Sequence, residues 1–428
     1  MAVVQRGVSC KVAVRAASAT RGAHRAASLP RAAAREAARS SEEAPAVLQR
    51  VLGERRAALA VAVAESALRD AWPSLQALVT PWLQPAPEAL TDTVPPRALG
   101  DADSRFTHLL GVEVHWKLVS HNSDDDTAPL LLCLHGFNGS TCSFDAVLGT
   151  MGAPREAAYD RPPFGLTARD EPSFRLSDEA GGAALGAALV DALHPRGVLL
   201  LGHSAGAAVA LRVARALPPA LLAGVVLVSP AVPASNTAED SFLSRADLGQ
   251  LLRLAATRAL LATDGPGLRY VRESTLARAA AVRASLRIGY GSDRQATPAA
   301  VETYLRPLQA LNWDKAILAQ LRSFTAASPP DAESLRDVPV LIVQGGDDNI
   351  VGKAGVQRLA ASLRAAGVEV DYSELAGVGH LPMEEAPEQF SAVVAPFARA
   401  ALERHARRGA AVGGRAASVR GGEATAAR

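Results

Sequence analysis

Short, continuous apolar runs alternate with alanine-rich, helix-forming segments along most of this 428-residue chain, and this alternation constrains the fold more than any other feature. The runs at 128–140, 197–203 and 223–231 each contain a strand's length of mainly Leu and Val, and helices are predicted at 178–194 and 204–218. A strand that is buried on both faces lacks polar alternation, and parallel strands need crossover helices. The sequence therefore predicts an α/β fold with a mostly parallel sheet that helices cover on both faces.

Further strand signals bring the predicted sheet to eight strands. They occur at 104–120, which divides into two strands at Gly111, and at 155–165, 338–346 and 368–375. Between 235 and 325 these signals stop, and the pattern is typical of several helices. A helical block between two strands has to lie outside the sheet, so we expect residues 235–325 to form a cap.

Composition divides the rest of the chain. Residues 101–234 and 326–404 carry the strand–helix alternation and are predicted to form the core, with a last helix near 385–404. Residues 41–100 combine a helix-forming segment with a linker that prolines interrupt. The final segment, 405–428, is rich in Gly, Ala and Arg, and we interpret it as a disordered tail.

The first 40 residues have the composition of an organellar transit peptide. They are rich in Arg, Ser and Ala and contain eight basic residues but a single acid, Glu36. Arginines interrupt every stretch that could form the apolar core of a secretory signal. We therefore expect residues 1–40 to direct the chain to a chloroplast or a mitochondrion, the alternative being a disordered basic tail without that role.

Charge, cysteine usage and hydropathy argue against several classes of function. The net charge is +2 and both termini are basic, so residues 41–403 are acidic, which disfavours binding of nucleic acid. A disulfide between Cys133 and Cys142 is not expected. No cluster has metal-ligand spacing and no glycine-rich loop suits phosphate, so we expect neither a metal nor a cofactor. The longest apolar stretch, 217–234, contains four prolines, so no transmembrane span is expected, whereas peripheral membrane contact stays open.

The sequence GHSAG puts Ser204 between two glycines, where an apolar strand ends and a helix begins. Such a junction forces a sharp turn, which needs small neighbours because its backbone is crowded. The turn would hold the Ser204 hydroxyl clear of the sheet, next to a helix N-terminus that favours negative charge. This context favours a nucleophile over a plain turn residue.

A serine alcohol needs a base, and the base needs an orienting acid. Two downstream loops offer both. The adjacent acids Asp347 and Asp348 follow an apolar strand, and His380 stands in a glycine-rich loop before a helix. The order serine, acid, histidine is that of the α/β-hydrolase fold and differs from that of chymotrypsin-like and subtilisin-like proteases.

Five motifs resemble the α/β-hydrolase superfamily, specifically its cap-bearing branch with a serine nucleophile, over about residues 101–400. They are, in chain order, HGF at 135–137, DRPPFG at 160–165, GHSAG at 202–206, GGDDNIV at 345–351 and GHLPMEEAPEQF at 379–390. Epoxide hydrolases and haloalkane dehalogenases carry Asp between the two glycines, so the serine here implies acyl-type chemistry. Because the branch includes many plant chloroplast hydrolases, the resemblance favours the chloroplast over the mitochondrion.

The resemblance also implies a role for each matching residue. Ser204 would be the nucleophile, His380 the general base, and the spacing G-x-x-D-x-x-V selects Asp348 as the acid, with Asp347 as the alternative. The backbone N–H groups of Phe137 and Ala205 would form the oxyanion hole. The implied activity is that of a cofactor-independent serine hydrolase, which cleaves an ester or thioester with an apolar acyl part; the substrate would be a small-molecule ester or a lipid-like molecule.

Other interpretations stay open at this point. An acyltransferase or a C–C bond hydrolase could use the same triad, and a hydrolase-derived receptor could retain it with little turnover. Several other side chains have structural interpretations: His135 beneath the oxyanion loop, Asp160 and Arg161 in a turn, and His108, His115 and His121 on strands or the surface. Tyr290, Tyr304 and Trp313 of the predicted cap fit a core and a pocket lining equally well. The sequence indicates neither the natural substrate nor the oligomeric state.

Overall fold

The structure is a computed structural model, and it describes residues 92–121, 125–235, 248–285, 289–291, 293–323 and 328–425, all within the unit Ala67–Arg428. The predicted leader at 1–40 and most of the segment 41–100 lie outside the described residues. In the described ranges, every helix is too short or too polar to cross a lipid bilayer.

One eight-stranded sheet lies at the centre, with the strand order β1-β2-β4-β3-β5-β6-β7-β8. The strands are β1 (Arg105–Leu109), β2 (Val112–Ser120), β3 (Leu130–Leu134), β4 (Arg155–Tyr159), β5 (Val198–His203), β6 (Leu222–Val228), β7 (Val340–Gly345) and β8 (Val370–Leu375). β2 pairs antiparallel with β1 and β4, and the pairings from β4 through β8 are parallel. The predicted α/β fold with a mostly parallel, eight-stranded sheet is confirmed.

Helices account for the connections between the parallel strands. They are α1 (Glu171–Arg175), α2 (Glu179–Leu193), α3 (Ala205–Ala216), α4 (Leu248–Leu261), α5 (Asp264–Ser285), α6 (Pro298–Leu305), α7 (Trp313–Ser323), α8 (Lys353–Ala365), α9 (Pro382–Glu385) and α10 (Pro387–Thr425). Every residue of β3, β5, β6 and β7 is buried, because helices cover both faces of the sheet. This burial explains why these strands are continuous apolar runs.

Alternate residues of each strand pack into two separate apolar layers. Leu132 and Leu200 face α2, α3 and α8, whereas Leu131 and Leu199 face α10 on the other side. Side chains on a strand point alternately to its two faces, so one apolar run supplies both layers. The two layers fix the register of the central strands, and with it the position of the loops at their carboxyl ends.

Four helices, α4 to α7, fill the described part of the segment between β6 and β7. Leu261, Val271 and Leu318, one each from α4, α5 and α7, form a small apolar cluster of their own. Arg169 connects this block to the core, since one terminal nitrogen donates a hydrogen bond to the Pro307 carbonyl at 2.7 Å. The block is therefore held by its own core and by polar contacts to the sheet domain.

The structure differs from the sequence analysis at several helices. The short helices α1 and α9 and the longer α8 have no counterpart among the predicted elements. The last helix continues to Thr425, where the sequence analysis ends it near 404 and predicts a disordered tail. Alanine, the residue with the highest helix propensity, is the commonest residue of this segment, and it favours a helix although glycines interrupt it.

Candidate active site

Ser204 occupies a strained turn between β5 and α3. Its φ is 53° and its ψ is −121°, on the left-handed side of φ that residues with a side chain rarely adopt. Two hydrogen bonds, to the end of β6 and to the chain just after it, hold this turn: the Ser204 N–H donates to the Val228 carbonyl at 2.9 Å, and the Ser204 carbonyl accepts from the Ala231 N–H at 3.1 Å. Such strain persists only where the surroundings over-determine the conformation, and it is common at functional sites.

Both glycines that flank Ser204 are required by close backbone packing. A Cβ at Gly206 would lie 2.2 Å from the Leu134 carbonyl oxygen, and a Cβ at Gly202 would lie 2.6 Å from Cα of Ala207. Real Cβ atoms do not approach so closely, so either substitution would force backbone to move. The start of α3 therefore packs directly against the end of β3, where the loop from His135 to Phe137 begins.

The structure brings together the three residues that the sequence analysis proposes as a triad. Nε2 of His380 lies 2.9 Å from Oγ of Ser204, and Nδ1 of His380 lies 2.9 Å from Oδ2 of Asp348. Asp347, the alternative acid, is exposed and forms no ion pair with His380. The three side chains follow β5, β7 and β8, which are parallel, so their loops meet at one edge of the sheet.

The Asp348 carboxylate is held in place by four hydrogen bonds. Oδ1 accepts from the N–H groups of Ile350 and Val351 at 2.8 and 2.9 Å, and Oδ2 accepts from Nε2 of Gln344 at 3.1 Å as well as from His380. Burial would raise the pKa of Asp348, but the hydrogen bond and charge of His380 and the two backbone donors hold the pKa below its usual 3.8. The group is therefore a carboxylate at neutral pH and keeps a proton on Nδ1 of His380.

Gln344 is a site residue that the sequence analysis did not single out. It is buried on β7, and besides Asp348 its Nε2 also donates to the Val351 carbonyl at 3.1 Å. A signal was present, because a glutamine stands at the end of the apolar run VLIVQGG. A buried polar side chain in such a strand needs hydrogen-bond partners, which points to the acid loop that follows.

The predicted oxyanion residues lie beside Ser204. A Cβ at Gly136 would be 3.0 Å from Cβ of Ser204, so Phe137 follows a residue that contacts the serine. Ala205 is the first residue of α3, and its N–H has no acceptor within the helix. In the described part of the chain, no hydrogen bond engages the N–H of Phe137 either. Two backbone donors close to Ser204 are thus available to a ligand.

His135 and Arg161 hold the loop that carries Phe137. Nε of Arg161 donates to the His135 carbonyl at 2.9 Å, and a terminal nitrogen donates to the Gly136 carbonyl at 3.1 Å. Nε2 of His135 accepts from the Arg161 N–H at 2.9 Å, so its Nδ1 carries the proton and donates to the Gly136 carbonyl. Desolvation, with the nearby Arg161 charge, lowers the pKa of His135 to about 3, so the ring is neutral.

A second serine–histidine–aspartate set occurs at Ser104, His115 and Asp160. Nε2 of His115 lies 2.8 Å from Oγ of Ser104, and Nδ1 lies 2.6 Å from Oδ2 of Asp160. The cavity beside it measures about 10 Å³, the space of one water molecule. The Asp160 carboxylate also accepts from the backbone N–H groups of Thr141 and Leu166, both at 2.6 Å. This set links β2 to the turn after β4 and has no room for a substrate.

Ser204 and His380 instead line a cavity of about 490 Å³, a size typical of small-molecule sites. The core contributes Phe137, and α5 to α7 with the short turn between α6 and α7 contribute an apolar wall that includes Val282, Leu305, Leu308 and Ile317. Of the three aromatic residues that the sequence left undecided, Tyr304 and Trp313 line this cavity. Tyr290 packs against the apolar clusters beside it.

In the ranges that the structure describes, no three His, Cys, Asp or Glu residues are grouped so that they could hold a metal ion. Cys133 and Cys142 are both free thiols.

The chain is similar to known hydrolases in sequence pattern and in fold. The model of the Alpha/beta hydrolase family matches residues 131–393, more than half of the chain. No curated protein sequence matches it. A protein described as a candidate aryl esterase from Burkholderia cenocepacia superposes with a TM-score of 0.50 and 22% identity, covering 70% of this chain and 99% of that one. The epoxide hydrolase CorEH superposes with a TM-score of 0.53 and 16% identity, covering 69% of this chain and 97% of that one. At sequence identities this low, the similarity to these two structures shows a shared fold only.

Proposed function

The chain belongs to the alpha/beta hydrolase family and is a hydrolase, and from this premise we propose that it is a cap-bearing serine hydrolase that acts on esters through an acyl-enzyme intermediate. The observation that carries the proposal is the pair of hydrogen bonds, 2.9 Å each, that join Ser204 to His380 and His380 to Asp348. An aspartate nucleophile, as in the epoxide hydrolases, is not available at position 204.

The reaction follows from this geometry. As Oγ of Ser204 attacks the ester carbonyl, its proton passes to Nε2 of His380, and the N–H groups of Phe137 and Ala205 bind the oxyanion. His380 then donates that proton to the alkoxide oxygen, which leaves as the alcohol. In the second half, His380 takes a proton from water, the hydroxide attacks the acyl carbon, and the proton returns to Ser204 as the acid leaves.

An apolar acyl part fits the cavity best. Val282, Leu305 and Leu308 line the cavity next to Ser204, and none of their side chains can form a hydrogen bond to a polar acyl group. Closing this wall over the substrate would also exclude water from the oxyanion, which strengthens the hydrogen bonds that stabilise it. The substrate class that we propose is therefore a small, lipid-like ester or thioester.

A chain-length series tests this proposal. With p-nitrophenyl esters from acetate to octanoate, we expect kcat/KM to rise with chain length, because each buried CH₂ contributes up to roughly 0.8 kcal/mol. Leu308→Asn should flatten the series, whereas Leu311→Asn should not, since Leu311 is exposed and does not line the cavity. A flat series in the wild-type protein would contradict the apolar-acyl proposal.

A further inference from the structure

The cavity wall contains a buried cation that ester hydrolysis does not need. Arg169 follows the turn after β4, is buried, and lines the same cavity as Ser204 and His380. Its terminal nitrogens donate to the carbonyls of Pro307 and Gly165 at 2.7 and 2.6 Å. One of these nitrogens also donates to the Ala310 carbonyl at 3.5 Å, and the buried Nε–H has no hydrogen-bond partner among the described residues.

No carboxylate contacts this guanidinium in the described ranges. Asp160 and Asp314 raise the pKa of Arg169 only through their charge, without an ion pair. Burial is the larger effect and lowers the pKa to about 10, so the group stays charged at neutral pH. A buried charge without a counter-ion is unfavourable, and carbonyl dipoles compensate it only in part. Among the described residues, no side chain therefore serves as the counter-ion of Arg169.

A second guanidinium lines the same cavity. Arg278 stands on α5, is exposed, and forms no ion pair with any described residue. None of the described residues that line the cavity is Asp or Glu. Two cations in a mostly apolar cavity without an acid create a positive potential that attracts an anionic ligand.

We propose that the substrate carries a carboxylate in addition to its ester and apolar part, and that Arg169 and Arg278 bind this carboxylate. A guanidinium is suited to carboxylates because its planar N–H groups match the two oxygens. The inference rests on the proposed ester hydrolysis for the reaction itself, but it concerns recognition. It narrows the substrate class to amphipathic half-esters, in which an apolar chain separates the ester from a free acid.

Binding tests the recognition without turnover. In the Ser204→Ala variant, calorimetry at low salt should give monomethyl suberate at least a tenfold lower Kd than dimethyl suberate, which has the same chain but no charge. Adding Arg278→Glu should reduce this ratio at least fivefold. Arg336→Glu is the matched control, because it changes the net charge equally at an exposed residue that does not line the cavity. Higher salt should narrow the difference, since the exposed Arg278 is screened.

Two outcomes would overturn the inference: equal affinity for monomethyl suberate and dimethyl suberate, or a preference that Arg278→Glu and Arg336→Glu change equally. Turnover measurements distinguish a failure of this inference from a failure of the proposed function. If the wild-type protein hydrolyses p-nitrophenyl esters of suberic acid and of its monomethyl ester equally and binding shows no preference, the inference fails while the proposed function stands. If neither ester is hydrolysed but the charged ligand binds tenfold more tightly, the proposed function fails and the carboxylate site stands.

Discussion

Nε2 of His380 lies 2.9 Å from Oγ of Ser204, although 176 residues separate them in the sequence. The residue before the serine contributes to this contact, because Nε2 of His203 donates a hydrogen bond to the His380 carbonyl at 2.9 Å. Burial and the nearby His380 lower the pKa of His203 to about 3, so the ring is neutral and keeps the proton for this bond. The turn that strains Ser204 therefore also positions the histidine that faces it.

Replacing the acid of the proposed triad should remove most activity. In Asp348→Asn an amide would face Nδ1 of His380 and favour the wrong tautomer, and in other triads this change lowers kcat by about 10⁴. Asp347→Asn is the adjacent control and should be mild, because Asp347 is exposed. Steady-state kinetics on one p-nitrophenyl ester compare the two, and a larger loss for Asp347→Asn would reassign the acid.

The close packing of Gly206 against the end of β3 predicts opposite effects for two glycine substitutions in helices. Gly206→Ala should destabilise the fold by about 1–3 kcal/mol, because the new Cβ meets the carbonyls of Leu134 and His135. Gly265→Ala in α5 meets no atom within 4 Å and should be neutral or stabilising by about 0.5–1 kcal/mol. Urea denaturation measures both, and equal effects would contradict the packing described for α3.

A half-buried acid beside the cavity predicts a pH-dependent stability. Glu384 on α9 is hydrogen-bonded with Tyr304 and, at 3.4 Å, with Tyr290. Burial raises its pKa to about 8 from the usual 4.5, although these hydroxyls partly oppose the shift. Between about pH 4.5 and 8 the folded protein holds a proton that the unfolded chain has lost, so the free energy of unfolding should fall as pH rises through this window.

Glu384→Gln should remove this contribution. The melting temperature of the variant should decline less between pH 5 and 9 than that of the wild-type protein, with roughly 2–4 °C for each kcal/mol involved. Glu388→Gln, an exposed residue four positions later, should retain the wild-type decline. Scanning calorimetry at a series of pH values measures the three melting temperatures. If the melting temperature of all three proteins declined equally with pH, Glu384 would not be the group that holds the proton.

The basic, nearly acid-free leader at residues 1–40 predicts targeting to an organelle, which we propose to be the chloroplast. A fluorescent protein fused behind residues 1–60 should accumulate in chloroplasts of plant or algal cells. Accumulation in mitochondria would support the alternative organelle. Diffuse cytosolic fluorescence would contradict targeting and would leave the proposed chemistry unaffected.

The sequence was sufficient to predict the sheet because its strands are buried on both faces. The apolar runs at β3, β5, β6 and β7 have no polar alternation, and their boundaries agree with the structure within a few residues. The missed helix α8 also had a signal, since Val356, Leu359, Ala360 and Leu363 recur at three- and four-residue spacing and are buried. The periodicity of this segment therefore predicts a helix.

Other features depend on packing that no local pattern encodes. Arg169 is isolated in the sequence, and its burial becomes evident only when Pro307 and Gly165 surround it. The contact between His115 and Asp160 likewise arises because β2 pairs with β4, 45 residues apart. Which residues of the cap line the cavity follows from how α5 to α7 pack together, because their side chains mix apolar and polar positions.

Covalent labelling at Ser204 tests the central claim most directly. A fluorophosphonate probe should modify Ser204, as located by peptide mass spectrometry, because His380 can accept its proton. Ser204→Ala should abolish labelling and keep a melting temperature within a few degrees of the wild type. Ser104→Ala should be labelled as the wild type is, since the cavity beside Ser104 admits only about one water molecule. Labelling at Ser104, or equal labelling of Ser204→Ala, would contradict the account.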